Sequence, residues 1–126
     1  MNTPTDQFGC HILTTLRNPI LCFLNKLLGA EPPDTGSPEV LAALVKLTPE
    51  DRVALLAAVT RNIDQNISGF VHALDEASHI HKGLAVTYNG TPLTNGDYAF
   101  NRDLKGWYSQ FAHYDQNGQP NSKANK

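Results

Sequence analysis

The sequence has few cysteines, few charges and no long apolar run. Two of its 126 residues are cysteines and 17% are charged. Cys10 and Cys22 cannot build a disulfide framework, and we expect both thiols to stay reduced. The longest apolar segment, residues 20–28, is interrupted by Asn25 and Lys26 and is far shorter than the ~20 residues that span a bilayer. The sequence therefore predicts neither a disulfide-stapled miniprotein nor a transmembrane helix.

The sequence also lacks the basic block that is typical of nucleic-acid-binding proteins. Ten Lys and Arg residues stand against twelve Asp and Glu residues, which gives a net charge of −2. Nucleic-acid binding usually needs a basic stripe that displaces counterions from phosphates. The first seven residues lack the positive charges that precede the apolar run of a secretion signal. We therefore predict a cytoplasmic protein that binds neither nucleic acid nor a membrane.

Short catalytic motifs are absent as well. The sequence contains no G-x-S-x-G nucleophile elbow, no glycine-rich phosphate loop and no H-E-x-x-H zinc motif. Cys10 is followed by His11, but adjacent residues of a helix point apart, so this pair does not predict a nucleophile with its base. These absences favour a protein that is not an enzyme, without excluding one, and we predict no cofactor.

Helical periodicity dominates the first two thirds of the sequence. A first helix is predicted from Asp6 to Asn18-Pro19, where the proline favours a kink or a new helix start. Ser37-Pro38 and Thr48-Pro49 each place a capping residue before a proline, which predicts two further helix starts. The helix after Thr48-Pro49 is predicted to be long, and its apolar stripe is Val53, Leu56, Val59, Ile63, Ile67, Phe70, Leu74 and Ala77.

The periodicity then changes from helical to alternating. Residues 84–93 alternate around Asn89-Gly90, a favoured pair for tight turns, and predict a small β-hairpin in which Pro92 keeps the second strand at an edge. Asn101 or Asp103 is the predicted cap of a last helix. One face of that helix carries Leu104, Trp107, Phe111 and Tyr114.

These elements together predict a mainly α fold. We expect a compact helical bundle with one long central helix, a small β-hairpin near residues 84–93 and a C-terminal helix. Residues 1–114 are predicted to form a single helical domain. Residues 115–126 have no large apolar side chain, so they are predicted to be a polar, flexible tail.

A cluster of imidazoles and a carboxylate near the end of the long helix is a candidate metal site. Glu76 and His79 have the three-residue spacing by which helical bundles direct a carboxylate and an imidazole at one metal ion, and His72 lies one turn earlier. Helical geometry places all three nearly opposite the apolar stripe, so we expect them to face solvent. A metal- or small-molecule-binding bundle that uses these residues is therefore the alternative hypothesis.

Aromatic residues are concentrated near the C-terminal end. Seven of the ten lie between residues 88 and 114. Trp107 and its helix face are expected to dock the last helix, because large rings dominate core burial. Tyr108 lies off that face, and Tyr98 and Phe100 fall in a predicted loop, where exposed aromatics often bind partners. We predict these last three residues as partner-binding.

Acidic residues are expected beside these aromatics. Asp97 and Asp103 complete the predicted partner-binding site, and with Asp64, Asp75 and Glu76 they predict an acidic surface. Such a surface would suit a basic protein partner, because opposite charges steer the encounter.

The first functional hypothesis is a stoichiometric protein-binding module. Its most concrete form is a bacterial immunity or inhibitor protein that blocks a toxin or enzyme, and the predicted acidic surface suits a basic one. Small size, predicted cytoplasmic location, the lack of catalytic motifs and the aromatic loop favour it. A further hypothesis is a homodimer that pairs through the apolar first helices, with Leu21 or Leu24 at the interface.

Overall fold

The computed structural model describes residues 3–29, 38–80, 85–93 and 99–121. The α-helices of this part are α1 (Pro4–Ile12), α2 (Asn18–Leu27), α3 (Pro38–Leu44), α4 (Pro49–Asp75) and α5 (Ala99–Phe111). The strands are β1 (Thr87–Tyr88) and β2 (Thr91–Pro92), and π-helical turns at Leu13–Arg17 and Glu76–Ile80 follow α1 and α4. The predicted mainly α fold, with its long central helix, small hairpin and C-terminal helix, is confirmed. None of the described helices combines the length and apolar character needed to cross a membrane.

Capping boxes define the starts of α1 and α4. Thr3 and Thr48 are the N-caps, and their hydroxyls accept the backbone N–H groups of Asp6 and Asp51. The carboxylates of the two aspartates accept the backbone N–H of the cap residues in return. The first helix therefore begins before the predicted cap, because Asp6 is the second half of a capping box and lies inside the first turn.

The interruption at Asn18-Pro19 is a π-helical turn. Pro19 has no N–H to donate, and the widened turn before it lets the backbone N–H of Asn18 donate to the carbonyl of Leu13. The chain stays helical at this point, since Asn18 has φ −58° and ψ −44°. Arg17 and Asn18 are 1% and 6% exposed, so the turn carries two polar side chains into the interior.

The buried face of α4 differs from the predicted stripe. Its buried residues are Leu56, Thr60, Ile67, Val71 and Asp75. Val53 and Phe70, which were expected in the stripe, are 54% and 47% exposed. Thr60 and Asp75 can occupy the buried face because their polar groups have hydrogen-bond partners: the Thr60 hydroxyl donates to the carbonyl of Leu56 over 2.7 Å, and Asp75 accepts from α5.

Two apolar clusters fill the interior. The larger consists of Ile12, Leu13, Ile67, Val71, Leu93, Phe100, Trp107 and Ala112. Phe8 packs against it, with its ring centroid 5.3 Å from that of Phe100 and 6.2 Å from that of Trp107. Gly9 lies so close to the Trp107 indole that a Cβ would overlap it, so this contact requires glycine. The smaller cluster consists of Leu21, Leu28, Leu44 and Leu56.

The hairpin turns at Asn89-Gly90. Both residues have positive φ, 51° and 82°, as a type I′ turn requires. The two strands pair antiparallel, with Thr87 opposite Pro92. Leu93 follows the second strand and is only 2% exposed, so its side chain attaches the hairpin to the larger cluster.

The chain after α5 folds back onto the helices. Tyr114 and Pro120 form an isolated antiparallel bridge. Between them, the Asp115 carboxylate accepts the backbone N–H groups of Asn117 and Gln119. We call residues 113–121 the C-terminal turn.

This packed turn differs from the flexible tail that was predicted from residue 115. Composition is a poor guide here, because residues 115–121 are held through their backbone and not through large apolar side chains. The remaining residues of the predicted tail, 122–126, lie outside the described part of the chain.

Candidate functional site

The predicted partner-binding residues have very different environments. Phe100 is fully buried, because α5 begins at Ala99 and carries this ring into the core instead of leaving it in a loop. Asp103 forms an ion pair with its neighbour on the surface of α5. Tyr108 is half-buried. Asp97 and Tyr98 lie outside the described residues.

The early start of α5 follows from Asp75, which caps it. Asp75 is 2% exposed, and its carboxylate accepts the backbone N–H groups of Phe100 and Asn101 over 3.1 and 2.8 Å. The Asn101 side chain donates a third hydrogen bond, of 2.8 Å. A carboxylate at this position satisfies free N–H groups and suits the positive end of the helix. Asp75 is therefore a buried cap and not part of the predicted acidic surface.

His72 and Glu76 lie on the outer side of α4, as helical geometry predicts. Their side chains are 53% and 44% exposed, and His72 Nε2 lies 2.7 Å from Glu76 Oε1. His72 Nδ1 lies 3.3 Å from Asn101 Nδ2. The side chain of His79, the third predicted ligand, lies outside the described part. Among the side chains that are described, no group of three or more His, Cys, Asp and Glu residues could hold a metal ion.

A buried ion pair that the sequence pattern does not predict connects α4 with the first π-helical turn. Arg17 is 1% exposed, and its Nε and Nη2 lie 2.7 and 3.3 Å from the two carboxylate oxygens of Asp64. Tyr108 donates its hydroxyl to the same carboxylate over 2.8 Å. The Arg17 guanidinium also lies 4.8 Å from the centre of the Tyr108 ring, within cation–π distance. Asp64 is therefore neutralised and not a free surface charge.

Arg17 and its neighbour Asn18 also hold the C-terminal turn. Arg17 donates to the carbonyls of Tyr114 and Asp115 over 2.6 and 3.0 Å. Asn18 donates to the carbonyl of Phe111 at the end of α5 over 3.1 Å and accepts the backbone N–H of His113 in the turn over 3.0 Å. One guanidinium thus binds a carboxylate of α4 and two carbonyls that follow α5, which ties three parts of the fold together.

Gly118 completes the attachment of the C-terminal turn. The Asn25 side chain donates to its carbonyl over 2.8 Å. Gly118 has φ 80°, and a Cβ on it would overlap Thr60 and Leu56 of α4. Glycine is needed here for both its backbone conformation and its close approach.

The tyrosines of this network are poor candidates for reactive groups. Burial, and then the hydrogen bond and negative charge of Asp64, raise the pKa of Tyr108 above its ordinary 10.0. Burial and a hydrogen bond with Cys22 raise the pKa of Tyr114. A tyrosine that acts as a base or nucleophile needs a lowered pKa, so both phenols serve here as neutral hydrogen-bonding groups.

An exposed apolar groove lies between α4 and the helix formed by α1 and α2. We call it the groove, and it has a volume of about 250 Å³. It is lined by Leu16, Ile20, Ile63, Asn66, Ile67 and Phe70. Leu16, Ile20 and Phe70 are 45%, 44% and 47% exposed. Phe23 follows Ile20 by one helical turn and is 52% exposed. Large apolar side chains that are exposed together are typical of an interaction surface.

The helical segments that line the groove contain few charged residues. Residues 11–25 contain one Lys, Arg, Asp or Glu residue, Arg17, and residues 62–74 contain one, Asp64. These two form the ion pair described above and cancel each other. The exposed polar residues between positions 62 and 70 are uncharged: Asn62, Gln65, Asn66 and Ser68. An apolar centre depleted of charge is typical of protein–protein interfaces.

Two features of the described residues thus differ in their chemistry, the Arg17 network and the groove. The Arg17 network holds the C-terminal turn in place, and its charges are already satisfied within the chain. The groove offers apolar surface to another molecule. Comparison of the chain with protein-family models, curated proteins and solved structures found no match.

Proposed function

We propose that this chain is a protein-binding module that acts by stoichiometric contact, and that the groove and Phe23 form the centre of its binding surface. The most concrete form is a bacterial, cytoplasmic immunity or inhibitor protein, which blocks a toxin or enzyme by covering part of it. The observation that carries the proposal is the group of half-exposed large apolar side chains around one concave groove.

The exposed side chains offer a useful binding free energy. Full burial of one large apolar side chain contributes about 1.5–3 kcal/mol, so covering the exposed half of each yields roughly 1 kcal/mol. Leu16, Ile20, Phe23 and Phe70 together therefore supply about 4 kcal/mol, before any hydrogen bonds at the border. A few apolar residues at the centre of an interface commonly dominate its affinity.

The charge distribution favours an uncharged target segment. The acidic surface that would attract a basic target is weakened among the described residues, because Asp75 is a buried cap and Asp64 is bound to Arg17. A groove between two helices suits an amphipathic helix that inserts an apolar stripe. We therefore expect the contacting segment of the target to be apolar at its centre and uncharged at its border.

Binding measurements with groove variants test this proposal. The first target to use is the product of an adjacent reading frame that encodes a toxin or enzyme, and its Kd is measured by calorimetry. Leu16→Ser and Phe70→Ser are each expected to weaken binding about fivefold, which corresponds to the ~1 kcal/mol lost when one of these half-exposed side chains is no longer covered.

The matched control is Val45→Ser. Val45 directly follows α3, is 69% exposed and does not line the groove. This variant should keep the affinity of the wild-type protein. Unchanged affinity in both groove variants would contradict the proposed binding surface.

A further inference from the structure

A second cavity lies where the end of α2, the start of α4 and the C-terminal turn meet. It has a volume of about 510 Å³ and shares no lining residue with the groove. Among the described residues that line it, Arg52 alone is charged. We infer that this cavity binds a small organic carboxylate, whose head group contacts Arg52 and whose apolar body contacts the leucine and valine side chains of the lining. We call it the Arg52 cavity.

Arg52 donates its hydrogen bonds to carbonyls. Its Nη1 and Nη2 donate to the carbonyls of Gly29 and Leu44 over 2.6 and 2.7 Å. Its Nε donates to the carbonyl of Leu47 over 3.4 Å. A guanidinium has five N–H groups, so one N–H on each Nη remains for a further acceptor. The three neutral carbonyls hold the guanidinium in place but leave its positive charge uncompensated.

No carboxylate among the described residues forms an ion pair with Arg52. Asp51 caps the start of α4, and Glu50 is exposed and does not line the cavity. Two further basic residues, Lys26 and Lys46, are exposed and adjacent in sequence to lining residues. Since Arg52 is partly buried, an opposite charge beside it would be stabilising. The described part of the chain does not supply that charge, and a bound anion would.

The rest of the lining is mostly apolar. Arg52 and Leu56 are one helical turn apart on α4, so the cation and apolar side chains share one face of that helix. Leu28 and Leu47 line the cavity from the end of α2 and from the residues before α4. Val53 is 54% exposed, so a ligand body that covers it removes apolar surface from water. A mostly apolar cavity of this size with a few polar groups is typical of small-molecule sites.

The C-terminal turn supplies a second polar group. The backbone of Gln119 is held by Asp115, whose carboxylate accepts its N–H over 3.0 Å and whose own N–H donates to its carbonyl over 2.8 Å. The Gln119 side chain lines the cavity and makes no hydrogen bond with any described residue. Its amide can therefore donate to the same head group as Arg52. A carboxylate accepts several such hydrogen bonds, and those from a charged donor are the stronger ones.

An NMR titration of the full chain with hexanoate tests this inference. Hexanoate is expected to bind with a Kd of about 1 mM or less and to shift the backbone amides of Arg52, Val53 and Gln119. Hexanamide has the same apolar body without the charge. It should bind at least about tenfold more weakly, because it cannot form a charge-assisted hydrogen bond with the guanidinium.

Gln119→Glu is the informative variant, because it places a carboxylate in the cavity with little change in side-chain size. It should weaken hexanoate binding at least about tenfold through like-charge repulsion and leave hexanamide binding unchanged. Gln65→Glu is the matched control, since Gln65 is exposed and does not line the cavity. If circular dichroism shows that Gln119→Glu is unfolded, Val53→Glu replaces it, because Val53 is more than half exposed.

Three results would overturn the inference. The first is the lack of a saturable shift below about 20 mM hexanoate, and the second is an equal Kd for hexanoate and hexanamide. The third is a hexanoate Kd that is the same in Gln119→Glu as in Gln65→Glu. Glu31 and Asp34 lie outside the described residues, so the double variant Glu31→Gln, Asp34→Asn is titrated as well. Binding by this variant alone would show that an acid of the chain neutralises Arg52, which also overturns the inference.

Discussion

Loss of the Asp64 carboxylate should destabilise the fold because it leaves a buried cation without its partner. In Asp64→Ala, the Arg17 guanidinium is 1% exposed and loses both contacts to the carboxylate, and Tyr108 loses its acceptor. Removing one partner of a buried ion pair costs about 3–5 kcal/mol. The Asp64 side chain is 25% exposed, so water replaces part of the interaction, and we expect about 2–3 kcal/mol.

A double-mutant cycle measures how much of this loss belongs to the pair. Urea unfolding of Asp64→Ala, Arg17→Met and the double variant can be followed by the fluorescence of Trp107, the single tryptophan. The double variant should be more stable than the sum of the two losses predicts, with a coupling free energy of at least about 1.5 kcal/mol.

The control for this cycle is the surface ion pair of Arg102 and Asp103. Its side chains are 64% and 30% exposed, and Asp103→Ala should change the free energy of unfolding by less than about 1 kcal/mol. If the losses of unfolding free energy in Arg17→Met and Asp64→Ala sum to that of the double variant within about 0.5 kcal/mol, the pair does not act as a unit.

Two other predictions concern the C-terminal turn and its network. Gly118→Ala should lower the free energy of unfolding by about 2 kcal/mol or more, because a Cβ is strained at φ 80° and overlaps Thr60; a urea midpoint equal to that of the wild-type protein would argue against the close packing. The wild-type protein should be more stable than Tyr108→Phe, and this difference in unfolding free energy should shrink as pH rises above 10.0, because the unfolded state releases the phenolic proton first. A difference that stays constant between pH 8 and pH 11 would contradict the raised pKa of Tyr108.

Local signals in the sequence predict much of the secondary structure. Asn89-Gly90 predicts the hairpin because few residue pairs tolerate positive φ at both positions, and Thr48-Pro49 predicts the start of the long helix through its capping chemistry. These signals depend on residues next to one another in the chain. They need no knowledge of the rest of the fold.

The faces that the helices bury are harder to predict, because they depend on distant partners. Thr60 and Asp75 are polar, yet both lie on the buried face of α4 with their hydrogen bonds satisfied, whereas Phe70 of the apolar stripe is exposed. The position of Phe100 in the core likewise depends on Asp75, which starts α5 early. Apolar periodicity alone cannot identify such exchanges.

In the candidate sites, too, local signals predict some features, whereas contacts between residues distant in sequence are not predicted. Helical geometry correctly predicts that His72 and Glu76 face outward. The Arg17 network joins residues far apart in sequence, and its one local signal is a lone arginine in an otherwise uncharged stretch, residues 11–25. A buried charge requires a partner, so that signal indicates a pair without identifying Asp64.

The most direct test of the central claim compares affinity with stability for one groove residue. Phe70 is 47% exposed, so Phe70→Ser should lower the unfolding free energy by less than about 1.5 kcal/mol while weakening target binding about fivefold. Calorimetric titration and urea unfolding of the same preparation give both values. A variant that loses stability but keeps the target affinity of the wild-type protein would show that the groove belongs to the fold and not to a binding surface.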